Sequence, residues 1–555
     1  MKNTLRENVS IKTRYTASFL LLLFLALYLI CAVKTFYNPD IYFMIPTGKY
    51  ILEHGFTNVD PFAMNHVPNY MAQQWLSDII FAKLYDLGGF RLIVNVSCIL
   101  FIILIIYIYF IIKNLNNSPF KAAFVSALVM VGLSLSGTPE ARPQMFTFLF
   151  LITELFLLEK YYRTGDKKFL IGLPAISLAV INLHAAYWPM IIIFALPYIA
   201  ESLLIPLYSK IKNEKILKYI HTLLFDFVGY AKRLPALLVS LCAAIAVAFI
   251  NPYGFDAVKY GFVSTNNKFL STHVNEMFSV FAPFGYVREL FTKENSDKFR
   301  LLSCLLPLMF MFSVLTIYSL KNRRFSFRHF FLWAGLALMS TVSVKYVALY
   351  LIALPIFTSN LFIKYNGVQL LNKKSHYKAL ISVLLILCIL FSVCSVFVFS
   401  NQNIIYLGDK TFEKINKNDN REHVSIFTLN TGSVAVFHGL EPYVDTRMEL
   451  HLAKLNKTDD YLIKAFNIAV SENKKEIDAF FTENHFDYVC VPLYMNCSEC
   501  FAEYFANNKD YKEISREYVQ TNNNGGRDIN ISTSENNDFT DDVLSLIVYK
   551  NISDR

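Results

Sequence analysis

Apolar runs alternate with short polar stretches through the first 400 residues of the chain. The runs fall at 16–33, 92–112, 122–136, 143–159, 169–183, 189–206, 234–250, 301–319, 329–342, 346–363 and 379–400. A helix of about 20 apolar residues crosses a hydrocarbon core of roughly 30 Å. The pattern therefore predicts an α-helical polytopic membrane protein with about 11 transmembrane helices over 1–400, followed by an extracytoplasmic α/β domain over 401–555.

Two longer loops interrupt the runs, at 34–91 and 251–300. In the first, a short helix is predicted over 46–54, starting at Pro46 and stopping at Gly55. Residues 56–70 carry Pro61 and Pro68 and read as irregular. Residues 72–87 place Trp75, Leu76, Ile79, Ile80, Leu84 and Leu87 on one face, the spacing of an amphipathic helix lying on a membrane surface, and Gly88-Gly89 ends it. The second loop opens with Asn251-Pro252-Tyr253-Gly254 and carries His273, Glu276 and Arg288. A further amphipathic stretch at 216–230 is expected to lie on lipid. Beyond 400, strands are predicted at 423–428, 442–446, 486–492, 511–519 and 543–549 and helices at 459–470, 474–484 and 498–507, with 521–538 an Asn-rich loop.

Composition sharpens this picture. Of 555 residues, 54% are hydrophobic and 50 are Phe. The net charge of +9 divides into −9 over 401–555, with 16 basic against 25 acidic residues, and +18 over the rest, with 36 against 18. The basic residues gather in alternate loops between apolar runs, so the positive balance reads as a topology signal, not as a nucleic-acid surface. It predicts a multi-pass plasma-membrane protein with a cytoplasmic N-terminus and the 401–555 domain outside. The first run lacks an A-x-A-like cleavage site and reads as an uncleaved anchor. No P-loop motif occurs, which leaves ATP-driven transport without support. Cys497-Ser-Glu-Cys500 is spaced to close a disulfide in an oxidising compartment, ahead of a zinc half-site that has no second ligand pair.

The candidate chemistry sits in the outer loops. Asp40 follows the first run, after Pro39, and Asp60 occupies the same loop; two carboxylates there suit a general base and a second polar or metal-binding group. Taken alone, each also reads as an ordinary loop acid. Arg142 and Lys345 fall in short outer turns, against the positive-inside bias, which points either to an anionic ligand such as a lipid phosphate or to snorkelling towards headgroups. Glu140 and His184 lie in neighbouring outer turns. Glu154 is a lone acid within the fourth run.

The order of these motifs resembles the GT-C superfamily of polytopic glycosyltransferases, in particular bacterial relatives of the dolichyl-phosphate-mannose protein mannosyltransferases. The likeness rests on Pro39-Asp40-Ile41-Tyr42-Phe43, Thr47-Gly48-Lys49-Tyr50-Ile51-Leu52-Glu53-His54-Gly55, Asp60-Pro61-Phe62, Gln74-Trp75-Leu76, Ala141-Arg142-Pro143-Gln144, Asn182-Leu183-His184 and Asn251-Pro252-Tyr253-Gly254. Val444-Asp445-Thr446-Arg447 resembles a strand-end Asp-x-Arg of such relatives. The resemblance implies transfer of a sugar from a polyprenyl-phosphate donor to an acceptor glycan, lipid or protein on the extracytoplasmic side, with inversion. It implies Asp40 as base and Asp60 as its partner or a metal ligand. Arg142, Lys345, Glu140, His184, His54 and Trp75 are then the substrate-binding residues, and membrane lipid a partner. A divalent cation is the one candidate cofactor. Met44 departs from the pattern, since relatives often carry His four residues after the early Asp. Two other readings are a lipid-carrier or polysaccharide transporter and a catalytically inactive scaffold or receptor.

Overall fold

The computed structural model describes residues 38–116, 119–135, 140–208, 231–263, 269–270, 277, 326–359, 406–419, 421–493, 497–521, 527–532 and 544–553. The runs at 16–33, 301–319 and 379–400, the stretch at 216–230, and His273, Glu276 and Arg288 lie outside the described residues. The chain forms two compact units: residues 1–33 with 95–394, and residues 34–94 with 395–555. The second unit thus takes in the whole of the first long loop, 34–91, which a boundary at residue 400 assigns to the other domain.

The expectation of eleven spanning helices is not met. Among the described residues two helices are long and apolar enough to cross a membrane, Trp75–Leu115 and Ala185–Leu204. Three more apolar helices are shorter: Val125–Ser134, Leu234–Val247 and Val344–Phe357. The reason lies in what interrupts the apolar runs. Helix α1 (Ile41–His54) and the long α2 (Trp75–Asn116) precede α3 (Pro119–Leu135) and α4 (Gln144–Thr164). Helix α4 has 21 residues but carries Glu154, Glu159, Lys160 and Arg163. The 12-residue α5 (Gly172–Leu183) stops where Asn182 Nδ2 donates to the carbonyls of Leu178 and Ile250. After α6 (Pro189–Tyr208), the 14-residue α7 (Leu234–Val247) ends before Asn251-Pro252, and the short α8 (Phe255–Val263) follows. The pair α9 (Phe327–Val342) and α10 (Val347–Phe357) has 16 and 11 residues, against about 20 needed for a span. Hydropathy counts an apolar turn as if it continued a helix.

In the first unit these helices pack on one another around Phe148, Leu151, Leu155, Val180, Phe194 and Leu351, all fully buried. Closeness is set at single positions: a Cβ on Gly132 would meet Leu351 Cδ2 at 2.6 Å, so α3 and α10 touch there. A buried ionic knot joins α4, α6 and α9. Arg328 donates to both oxygens of Glu159 (2.9 and 3.1 Å) and to Glu201 (2.7 Å), Arg163 donates to Glu159 (2.6 Å), and the His329 Nε2 atom lies 3.0 Å from it.

The second unit is built on a six-stranded mixed sheet in the order β2-β1-β3-β6-β4-β5. The strands are β1 (Ser425–Phe427), β2 (Glu441–Pro442), β3 (Tyr488–Pro492), β4 (Tyr511–Thr521), β5 (Arg527–Ser532) and β6 (Leu544–Asn551). β1 pairs in parallel with β2 and β3; the pairs β3–β6, β6–β4 and β4–β5 are antiparallel. Four of these strands fall where the sequence predicts them. β2 is shorter and earlier than 442–446, and β5 (Arg-Asp-Ile-Asn-Ile-Ser) lies inside the stretch predicted as loop, because its two alternating Ile sit in an Asn-rich surrounding and its pairing with β4 is what makes it a strand. Helices α11 (Asp409–Asn418) and α12 (Gly432–Phe437) have no counterpart in the sequence pattern, whereas α13 (Tyr461–Ala469), α14 (Lys474–Asn484) and α15 (Glu499–Asn507) do. Glu517 on β4 is buried and accepts from Gly408 N and Thr411 Oγ1, so a carboxylate from the sheet caps the N-terminus of α11.

The first long loop supplies part of this unit's core. Tyr42 on α1 packs with Phe412, Ile415, Ile426, Val434, Tyr488 and Val548, with Phe90 and Phe437 against them. Helix α1 starts at Ile41, not at Pro46, and Pro46 lies inside it. The burial of Ile41, Tyr42, Phe43, Met44 and Ile45 outweighs the loss of one helical hydrogen bond at the proline. Helix α2 runs from Trp75 through a kink at Gly88-Gly89, where Gly89 adopts φ 64°. This is where the sequence ends its amphipathic helix. Helices α1 and α2 approach so closely at Gly48 that a Cβ there would lie 2.2 Å from the Asp78 carbonyl oxygen.

Gly48→Ala is therefore expected to destabilise the protein by about 1–3 kcal/mol through overpacking, seen as a lower thermal midpoint. Gly335→Ala, in a helix with nothing within 4 Å of the added Cβ, should leave the midpoint unchanged or raise stability by up to about 1 kcal/mol. Equal midpoints for Gly48→Ala and wild type would contradict this close helix contact.

Candidate functional site

The polar centre of the second unit gathers around the N-terminus of α1. Asp40 is the residue before the helix; its N–H donates to Asn38 Oδ1 (2.8 Å), and its carbonyl accepts from Phe43 N and Met44 N at 3.2 and 3.1 Å. Its side chain is half-buried. Met44, at the position where the resemblance leads one to expect His, is fully buried in the core. Asp78, on the first turn of α2, is also buried, and Gln74 Nε2 donates to its Oδ1 at 3.1 Å. Asp78 lies within electrostatic reach of the Asp40 carboxyl and of the Arg447 guanidinium. In the sequence Asp78 looks like a polar position on an amphipathic helix; the pairing of α1 with α2 at Gly48 is what brings it to Asp40.

Asp60 takes a different position from the one its sequence context suggests. It is fully buried, and Arg447 binds it with both terminal nitrogens: Nη1 to Oδ1 at 3.1 Å and Nη2 to Oδ2 at 3.0 Å. Oδ1 also accepts from Phe62 N. The same guanidinium reaches Asp445 through Nε at 3.1 Å to each oxygen and through Nη2. The Arg447 N–H donates to Asp445 Oδ1 at 2.7 Å. The rings of Phe43, Phe62 and Tyr70 surround the guanidinium at 5.8, 5.3 and 5.6 Å. Burial alone would raise the Asp445 carboxyl, but Arg447 and His451 hold it well below the ordinary carboxylate range. Burial likewise opposes the charge on Arg447, and Asp445 and Asp60 overcome it, holding the guanidinium above its usual value. His451 Nε2 faces the Asp445 N–H at 3.2 Å, while its Nδ1 is buried with no hydrogen-bond partner among the described residues.

The donor set does not fit a bound cation at Asp60, since Arg447 occupies both of its oxygens. Among the described residues no group of three or more His, Cys, Asp or Glu is arranged to hold a metal ion. Cys497 and Cys500 are free thiols, not a disulfide, and the Cys497 thiol faces the Pro492 carbonyl at 3.3 Å. His54 ends α1, exposed and stacked on Tyr50 at 4.7 Å; Trp75 opens α2 with Phe56 edge-on at 5.4 Å.

The first unit brings together a second set. His184 is buried at the end of α5, with Nδ1 3.4 Å from Thr147 Oγ1 and its ring 4.6 Å from that of Tyr187. Burial, reinforced by the positive charges of Arg142 and Lys345, pushes the His184 imidazole down to about 3. It is uncharged near neutral pH. The Arg142 Nε lies 3.4 Å from Glu140 Oε2, and Lys345 lies over the Tyr346 ring at 5.2 Å. Arg142 and Lys345 thus both act on the buried imidazole, and Glu140 lies beside Arg142. On α4, Glu154 is fully buried and neither of its oxygens has a hydrogen-bond partner among the described residues.

The depressed Asp445 carboxyl has a consequence for acid stability. A carboxylate bound more tightly in the folded state stabilises it above the unfolded value near 3.9, and that contribution is lost as pH falls through the folded value. The stability difference between wild type and Asp445→Asn should accordingly be constant from about pH 8 to 5 and shrink below about pH 4, measured by urea unfolding. A difference that grew on acidification would contradict the ion pairing.

No protein-family model matches the chain, and a search of curated proteins finds no match to it.

Proposed function

We propose that the protein transfers a sugar from a polyprenyl-phosphate donor to an acceptor hydroxyl at a membrane surface, with Asp40 as the general base. The observation that carries this reading is the placement of a half-buried Asp40 at the start of α1 with the buried carboxylate of Asp78 in electrostatic reach. A half-buried carboxylate at a helix start is open to an acceptor hydroxyl and able to take its proton. Asp40 takes the proton of the acceptor hydroxyl, the oxygen attacks the anomeric carbon, and the bond to the lipid phosphate breaks with inversion. Gln74 holds Asp78, and Asp60 serves Arg447. In the first unit, Arg142 and Lys345 beside the uncharged His184 suit an anionic group such as a lipid phosphate, with Glu140 beside Arg142. His54 and Trp75 offer ring faces for a sugar or lipid.

The membrane setting draws support from the two long apolar helices. Described residues of 38–94 and 406–553 share one core. The basic loops favour the extracytoplasmic side for that core. Transport of a lipid carrier is the second reading; the specific observation in its favour is Glu154, buried on α4 with no hydrogen-bond partner among the described residues.

The test is transfer from a polyprenyl-phosphate sugar in membranes holding equal amounts of each variant. Asp40→Asn is expected to lower the rate by about 10²–10⁴-fold. Unchanged transfer would remove Asp40 from the role of base, and carrier uptake by proteoliposomes without any transfer would favour the second reading.

A further inference from the structure

We infer that Arg447, from the C-terminal part of the chain, is the positioning residue of the site: through Asp60 and Phe43 it fixes the 56–72 segment and the first turn of α1, and thereby the carboxylate of Asp40. The inference rests on the transfer reading for its catalytic half and on geometry alone for its mechanical half. Arg447 is held from below by Asp445, two residues away on the turn that follows β2. Its outward nitrogens grip Asp60, 387 residues away in sequence, in a two-bond fork. Its flat face meets Phe43, one turn along α1 from Asp40, and Phe62 and Tyr70 of the segment. Other bonds follow the same path: Asn65 Nδ2 donates to the Tyr443 carbonyl at 3.1 Å, Met64 N to the Pro442 carbonyl at 3.2 Å, and Asn69 Nδ2 to the Asn456 carbonyl at 2.9 Å. These lighter contacts all flank the Asp60–Arg447 fork. Among these contacts the fork alone carries charge. Arg447 also acts electrostatically on Asp78. A point charge in its place lacks the fork and the flat face, so lysine cannot reproduce either contact.

The experiment compares the full-length wild type with Arg447→Lys and Asp60→Asn in membranes. Two readouts are taken: amide hydrogen exchange, and transfer kinetics per folded molecule, with the folded fraction read from exchange in β3 and β6. Both variants should speed exchange in residues 56–72 by at least about tenfold while β3 and β6 stay protected. Both should lower kcat by about tenfold or more with KM within about twofold, the signature of a displaced base and not of lost binding. Unchanged exchange in 56–72 would overturn the clamp. A loosened segment with unchanged kcat would overturn the link to Asp40. Absence of transfer by the wild type itself counts against the transfer reading and its base alike, and the exchange data then decide the clamp by themselves.

Discussion

One buried guanidinium holds the second unit together. Arg447 is ion-paired to Asp60 and Asp445 at once, all three almost without solvent contact. Desolvating three charges is costly, and the arrangement persists because every donor of the fork meets a carboxylate oxygen and aromatic faces close over the rest. Removing one member of such a buried set typically costs about 3–5 kcal/mol, since an uncompensated charge is left behind. The contact also closes a loop of several hundred residues, so it determines which distant segments share a core.

That closure changes how the chain divides into bodies. The loop carrying Asp40, Asp60 and Asp78 belongs to the same body as the C-terminal sheet, with Tyr42, Phe90, Phe437 and Phe412 forming one aromatic cluster. The C-terminal segment is therefore part of the scaffold that presents Asp40, not a separate appendage. The backbone carbonyl of Asp78 meets α1 at Gly48, and its carboxylate is directed by Gln74. The placement of Asp78 against α1 is thus set by one glycine and one helix crossing.

The first unit uses the same physics for a different purpose. Glu159, Glu201, Arg163 and Arg328 balance their charges inside the helical bundle, and His329, Tyr198 and Ser326 complete the hydrogen bonds. This knot joins α4, α6 and α9 where apolar packing alone would leave their registers free to slide. Glu154, earlier on the same helix as Glu159 and with no such partners among the described residues, shows by contrast how completely the knot is satisfied.

From residue types alone came the positions of most C-terminal strands and helices, the amphipathic start of α2 with its break at Gly88-Gly89, and the grouping of Arg142, His184 and Lys345 in turns. Those features follow from local periodicity and from glycine and proline, which act within a few residues. Hydropathy misled on the count of spanning helices, because an apolar run ending in a polar turn reads the same as a longer helix. The start of α1 at Ile41, the strand β5, the approach of Asp78 to α1 at Gly48 and the capture of Asp60 by Arg447 were decided only in three dimensions. Each depends on a neighbour far along the chain, and no local pattern encodes which distant charge or strand will arrive.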